Sequence, residues 1–195
     1  VTLRLVSLDC PSCGSALRGQ GHDTIFFCQH CGDAAVLADD GLEMIDSAAL
    51  VPAPGRSAKL WRPAWMVEAE VEVADRVRSG GHRTSGWADR RTFVVPAFDM
   101  PLADLTRIVR AFAAVDRELR EVPREPIRGG ALAIEDVMTL IRHVLIGDEV
   151  RRSDLLASVR VDIEVVSKRL VALPFEAAPP GLRCSITGVT VSPAN

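Results

Sequence analysis

Four of the five cysteines in this 195-residue chain fall in two Cys-x-x-Cys pairs, Cys10/Cys13 and Cys28/Cys31, with 14 residues between the pairs. No other feature limits the local fold so strongly. Two residues between cysteines let a single chain turn offer both sulfurs to one ion. A glycine follows each pair, Gly14 and Gly32, where the chain can take positive φ and bend back under the sulfurs. Backbone N–H groups in such a turn donate to thiolates and offset their charge. Between the pairs, "RGQGHDT" reads as a hairpin tip and "TIFF" as the strand leading into the second pair. "AAVLADDGLEMI" then reads as a second hairpin, with Asp39, Asp40 and Gly41 in its turn.

Short β-hairpins gripping one metal through four cysteines resemble a zinc ribbon, and the resemblance covers about residues 1–45. It implies that Cys10, Cys13, Cys28 and Cys31 are the ligands of one structural Zn2+. Rubredoxin carries similar knuckles around iron, but with a longer intervening loop and an aromatic core. This segment has only Phe26 and Phe27, and the chain has no tyrosine. Four thiolates complete a tetrahedral site and leave no position for substrate or water, so the metal is expected to fold the segment. His22 and His30 then read as surface imidazoles.

Residues 46–59, "DSAALVPAPGRSAK", are small, proline-containing and aperiodic, and read as a linker. Residues 60–195 read as a second domain. "LWRPAWMVEAEVEV" alternates as a half-buried strand and "RRTFVVPAF" is another. Their prolines favour a sheet edge or a bulge. Residues 102–119 place Leu105, Ile108, Val109, Phe112, Val115 and Leu119 on one helical face. A second helix runs from about Ile134 to Ile146 and is expected to end at Gly147. "SVRVDIEVV", "KRLVALPF" and "LRCSITGVTV" read as three closing strands. The expectation is an α+β fold, a small β ribbon linked to a mostly antiparallel sheet with about two helices on one face. Beyond the ribbon, the proline-aromatic strands are only loosely similar to those of uncharacterised bacterial zinc-ribbon proteins, which implies no activity.

The charge pattern narrows the function. The net charge is −3, and residues 1–40 hold Arg4 and Arg18 against five aspartates, so the ribbon is the acidic part of the chain. Phosphate neutralisation needs clustered Lys and Arg, which the ribbon lacks. No run of 18 or more apolar residues is present, so no membrane insertion is expected, and the N-terminus reads as a strand rather than a signal peptide. The cysteine usage suits a reducing, cytoplasmic setting. "GHRTSGW" has glycines spaced as in a P-loop, but Trp87 and Ala88 stand where Lys and Ser/Thr are required. His143 reads as a surface histidine and Cys184 as a core thiol.

Residues 76–91 hold Arg76, Arg78, Arg83, Arg90 and Arg91 against Asp89 alone, with Trp87 in a Gly/Ser-rich setting. Arginine and tryptophan are common interface anchors. The sequence therefore suggests a non-enzymatic binding or assembly protein, an accessory subunit contacting another protein through Arg83, Trp87, Arg90 and Arg91. The alternative is a nucleic-acid-associated factor using the same loop.

Overall fold

A computed structural model describes residues 6–152 and 156–192. The N-terminal strand expected from Val1 lies mostly outside the described residues; within them Asp9 makes one bridge to Ala16. The first three strands, β1 (Ile25–Phe27), β2 (Ala34–Ala38) and β3 (Gly41–Ile45), form an antiparallel ribbon in the order β1-β2-β3. Ala38 pairs with Gly41 across the Asp39-Asp40 turn, as the alternation there requires.

The larger sheet is built on three strands: β5 (Leu60–Arg78), β7 (Trp87–Pro96) and β9 (Leu156–Ala178). β5 runs antiparallel to both of the others and lies between them. Short strands complete the sheet: β4 (Ser47–Leu50), β6 (Arg83–Thr84), β8 (Leu119–Arg120), β10 (Gly181–Cys184) and β11 (Thr190–Val191). The helices are α1 (Leu102–Phe112) and α2 (Ile134–Arg152). The chain is α+β with mostly antiparallel sheet.

Several expectations change in detail. The stretch read as a linker contains β4, which lies parallel to β9 through Ser47–Ala49 and antiparallel to β8. Ala48, Ala49 and Leu50 are buried there. Two of the three closing strands are one: β9 runs through Ser167 and Lys168, where a register shift opposite Glu68 and Ala69 accommodates Val166 as an extra residue. α1 stops at Phe112, whose carbonyl accepts a hydrogen bond from Arg117, and Leu119 belongs to β8.

The prolines sit differently from the edge rule. Pro63 is in β5, paired with Ala172 of β9 and flanked on its other side by Ala97 just past β7, and Pro174 is in β9. A strand proline leaves one carbonyl of its partner without its N–H. Ala97 donates to the Pro63 carbonyl at 2.9 Å, and the Ala97 carbonyl accepts instead from Ala131 and Leu132 at 2.9 and 3.3 Å. Ser185 donates to the Pro174 carbonyl at 2.9 Å, and its own carbonyl accepts from Ala53 at 2.9 Å. Only Pro96, at the end of β7, obeys the rule, because β7 is an edge beside β5.

The sheet buries both faces. Trp61, Trp65, Val67, Ala69, Val71 and Val73 of β5 face α2, through Val137, Ile141, Val144 and Leu145. Ala64 of β5 and Val171, Leu173 and Phe175 of β9 lie on the opposite face with Leu182, Cys184 and Val191. The helices do not share one face. α1 sits beside β7 and feeds both layers, Leu105 and Val109 into the first and Ile108 and Phe112 into the second. The ribbon joins the first layer: Ile25, Phe27 and Ala34 pack into it, while Phe26, on the alternate face of β1, packs with Cys10, Leu17 and Cys28.

Candidate metal centre

The four ribbon cysteines converge. Their sulfurs all lie within 4.8 Å of one another. Cys10 Sγ is 3.7 Å from Cys31 Sγ, and Cys13 Sγ is 3.6 Å from Cys28 Sγ. Four sulfurs at about 2.3 Å from a central ion would stand about 3.8 Å apart in a tetrahedron, close to both separations. None of the cysteines is in a disulfide. The donor set fits a soft or borderline divalent metal.

Local backbone geometry explains the convergence. Cys10 N–H donates to the Ser15 carbonyl and Gly14 N–H to the Cys10 carbonyl, both at 2.8 Å. Cys28 N–H donates to Asp33 at 2.8 Å and Gly32 N–H to Cys28 at 2.9 Å. The two knuckles therefore share one hydrogen-bond pattern, closed by glycines at φ +71° and +87°. A side chain at either glycine would be strained by the left-handed backbone. The second knuckle leans on the larger sheet: Ser47 Oγ donates to the Gly32 carbonyl at 3.5 Å.

Backbone donors reach the sulfurs as well, from Ser12 and Cys13 to Cys10, from Ser15 to Cys13 and from Asp33 to Cys31. Hydrogen bonds from the Ser15 hydroxyl and N–H pull Cys13 down to about 6. Loss of solvent around their sulfurs pushes Cys10 and Cys31 up. Four clustered sulfurs thus do not ionise together without a cation, and a divalent ion would resolve that conflict. Cys184 is buried in the opposite layer of the sheet and is not in the cluster. Its turn nevertheless repeats the knuckle: Cys184 N–H donates to Val189 and Gly188 N–H to Cys184, both at 2.9 Å, with Gly188 at φ +75° and Thr187 where the second cysteine would be. "CSITG" carried that signal in the sequence.

His22, His30 and His143 are exposed. His22 Nε2 is 3.8 Å from Asp99.

Residues 76–91 are not an open loop. They are the ends of β5, β6 and the start of β7, with Trp87 paired to Val73. Trp87 is half-buried against the core and its Nε1 donates to Glu149 at 2.9 Å. The Arg91 guanidinium lies 4.1 Å over the Trp87 ring and pairs with Asp89 at 3.3 Å, and Arg90 pairs with Glu68 at 2.9 Å. Arg83 is exposed and its backbone pairs with Val77. Only Trp87 and Arg91 are thereby brought into contact. Sequence reasoning missed Glu149, the one buried acid among the described residues, 1% exposed on α2. Arg76 lies 2.8 Å from it and Arg152 3.4 Å.

The fold and the cluster define an α+β protein with a four-cysteine centre able to hold a metal ion. Comparison with known proteins returns no matching family, curated protein or solved structure. No helix is long and apolar enough to cross a membrane among the described residues.

Proposed function

We propose that the chain is a non-enzymatic binding protein, an accessory subunit of a hetero-complex, whose ribbon is held by one structural Zn2+ on Cys10, Cys13, Cys28 and Cys31. The observation that carries this reading is the closed set of four sulfurs, which leaves no coordination position for a substrate. Zinc is chosen over iron because the site is small and poor in aromatics: among the described residues, Phe26 is the only ring packed with the cluster.

The partner contacts the outer side of the β5–β7 end, where Arg83 is exposed, Arg91 rides above the half-buried Trp87, and Arg90 projects from the alternate face of β7 beside Glu68. Trp87 acts from beneath, as the support for Arg91, rather than as the contact itself. Against the nucleic-acid alternative stands the neighbouring charge. Arg76 and Arg90 are neutralised by Glu149 and Glu68, and Glu70, Glu72, Asp162 and Glu164 lie on the same stretch of sheet. A phosphate backbone approaching there meets a negative field.

Affinity isolation of the native chain from its own cells, beside Arg83→Glu/Arg91→Glu, tests the reading. The expected result is a stoichiometric protein partner that the double variant loses without a change in melting temperature. Equal recovery with both forms overturns the contact assignment, and one iron per purified chain overturns the metal.

A further inference from the structure

A cavity of about 380 Å³ opens between the ribbon's hairpin tip and the larger sheet. Arg18 and His22 line it from the ribbon, Arg62 from β5, and Arg128 from the segment leading to α2. That segment welds the two walls: Arg128 N–H donates to the Trp61 carbonyl at 3.4 Å, and the Gly130 carbonyl accepts from Thr24 and Ile25 at 2.7 and 2.8 Å. The cavity is thus a built feature of the joint between the sheets, a common location for small-molecule sites, and its size falls in their usual range.

Arg18, Arg62 and Arg128 outnumber the two carboxylates of its lining, Asp23 and Asp99. Most arginines around the large sheet pair with a carboxylate, as Arg76, Arg90, Arg110, Arg160 and Arg169 do. Among the described residues, Arg18, Arg62 and Arg128 have no carboxylate within ion-pair distance. Arg62 is half-buried, with its guanidinium 5.1 Å over the Phe98 ring. Burial, and then the charge of Arg128, pull its pKa down, and Asp23 pulls it partly back. Asp23 and Asp99 also line the cavity: Asp23 accepts the Gln20 N–H at 2.6 Å, and Asp99 stands 3.8 Å from His22.

Two like charges sharing a partly desolvated wall are costly unless negative charge joins them, and Asp23 offsets only part of that cost. Forked guanidinium donors match oxyanions with several acceptor oxygens. We propose that this cleft binds a small molecule carrying a phosphate or diphosphate group, held between Arg18 on the ribbon and Arg62 and Arg128 on the larger sheet. A phosphate group offers enough oxygens and charge to serve all three. The site follows from the joint between the sheets and stands whether or not the assembly reading above is right.

The test is calorimetric titration of the metal-loaded full chain with pyrophosphate, with inorganic phosphate and citrate as separate arms. The expected result is saturable binding of one pyrophosphate per chain, with inorganic phosphate weaker and citrate weaker still. Arg62→Gln and Arg18→Gln should each weaken pyrophosphate about tenfold or more, as loss of a charge-assisted contact does. Arg142→Gln, on the exposed side of α2, should bind as the wild type does. Arg18 is exposed on the hairpin tip, so its variant reports on binding even if Arg62→Gln fails to fold. No saturable binding, tighter binding of citrate, or unchanged affinity in Arg18→Gln overturns the proposal.

Discussion

At the scale of single residues, the most consequential side chain is Glu149. It is 1% exposed, and its carboxylate holds Arg76 and Arg152 while accepting the Trp87 indole N–H. Removing one partner of a buried ion pair leaves the other charge desolvated, which costs about 3–5 kcal/mol. Glu149→Ala should therefore lower unfolding stability by that order in denaturant titrations. Trp87→Ala should also destabilise, by about 2 kcal/mol or more from lost apolar burial, although the sequence alone suggests a ring that contacts a partner. A double-mutant cycle should show coupling between the two, and additivity would mean that the indole bond carries nothing. The second residue-level prediction concerns Ser15. Its hydroxyl and N–H hold Cys13 near 6, so Cys13 is a thiolate at neutral pH. Cys10 and Cys31 are raised, so metal uptake must expel their protons, and affinity falls as pH falls. Ser15→Ala lets Cys13 rise toward its ordinary value and gives protons the advantage sooner. Acid release of the metal, followed with a chromophoric chelator, should move to higher pH in that variant; an unchanged or lower midpoint would contradict the assigned role.

At the scale of elements, what was legible in the sequence was whatever a local pattern could encode. The period-2 burial of Trp65, Val67, Ala69, Val71 and Val73 appears in β5 as the alternation requires, and the first face of α1 is the one its apolar spacing marks. What was hidden depends on distant chain. β4 looks like linker because its partners, Leu170–Ala172 and Leu119–Arg120, lie far along the sequence. The centrality of Pro63 depends on Ala131 and Leu132 occupying the Ala97 carbonyl. α2 runs past its expected stop for a related reason. Gly147 looks like a C-terminal stop, but Val144, Leu145 and Glu149 are buried on either side of it, and packing outweighs the roughly 1 kcal/mol a helical glycine costs. The Arg110 side chain crosses this position, where a Cβ would stand 2.9 Å from its Nη2. A guanidinium tip moves easily, so Gly147→Ala should be neutral or stabilise by up to about 1 kcal/mol. Destabilisation beyond 1 kcal/mol in a thermal melt would mean that the Arg110–Asp148 pair, 2.6 Å apart, cannot yield.

At the scale of the whole molecule, the ribbon and the α+β sheet share one packed layer. Ile25, Phe27 and Ala34 are buried in the layer that holds Trp61, Trp65 and the α2 face. Gly130 exchanges backbone hydrogen bonds with Ile25, and β4 carries the chain from the ribbon directly into the large sheet. Each buried Ile or Phe side chain is worth about 1.5–3 kcal/mol, against a typical domain stability of about 5–15 kcal/mol. Losing the ribbon's contribution removes a large share of what holds the rest together. A metal held by the four cysteines would therefore be coupled to the stability of α2 and the long strands, although no candidate ligand lies on either. Cys28→Ser, or chelation of the metal, should lower the midpoint of helical circular dichroism and of tryptophan fluorescence together, in one transition. The three tryptophans all lie in the larger sheet, so their fluorescence reports on the part without cysteine ligands. A ribbon that unfolds alone, leaving both signals and their midpoint unmoved, would show that the Ile25–Phe27 contact carries little and that the two parts are independent after all.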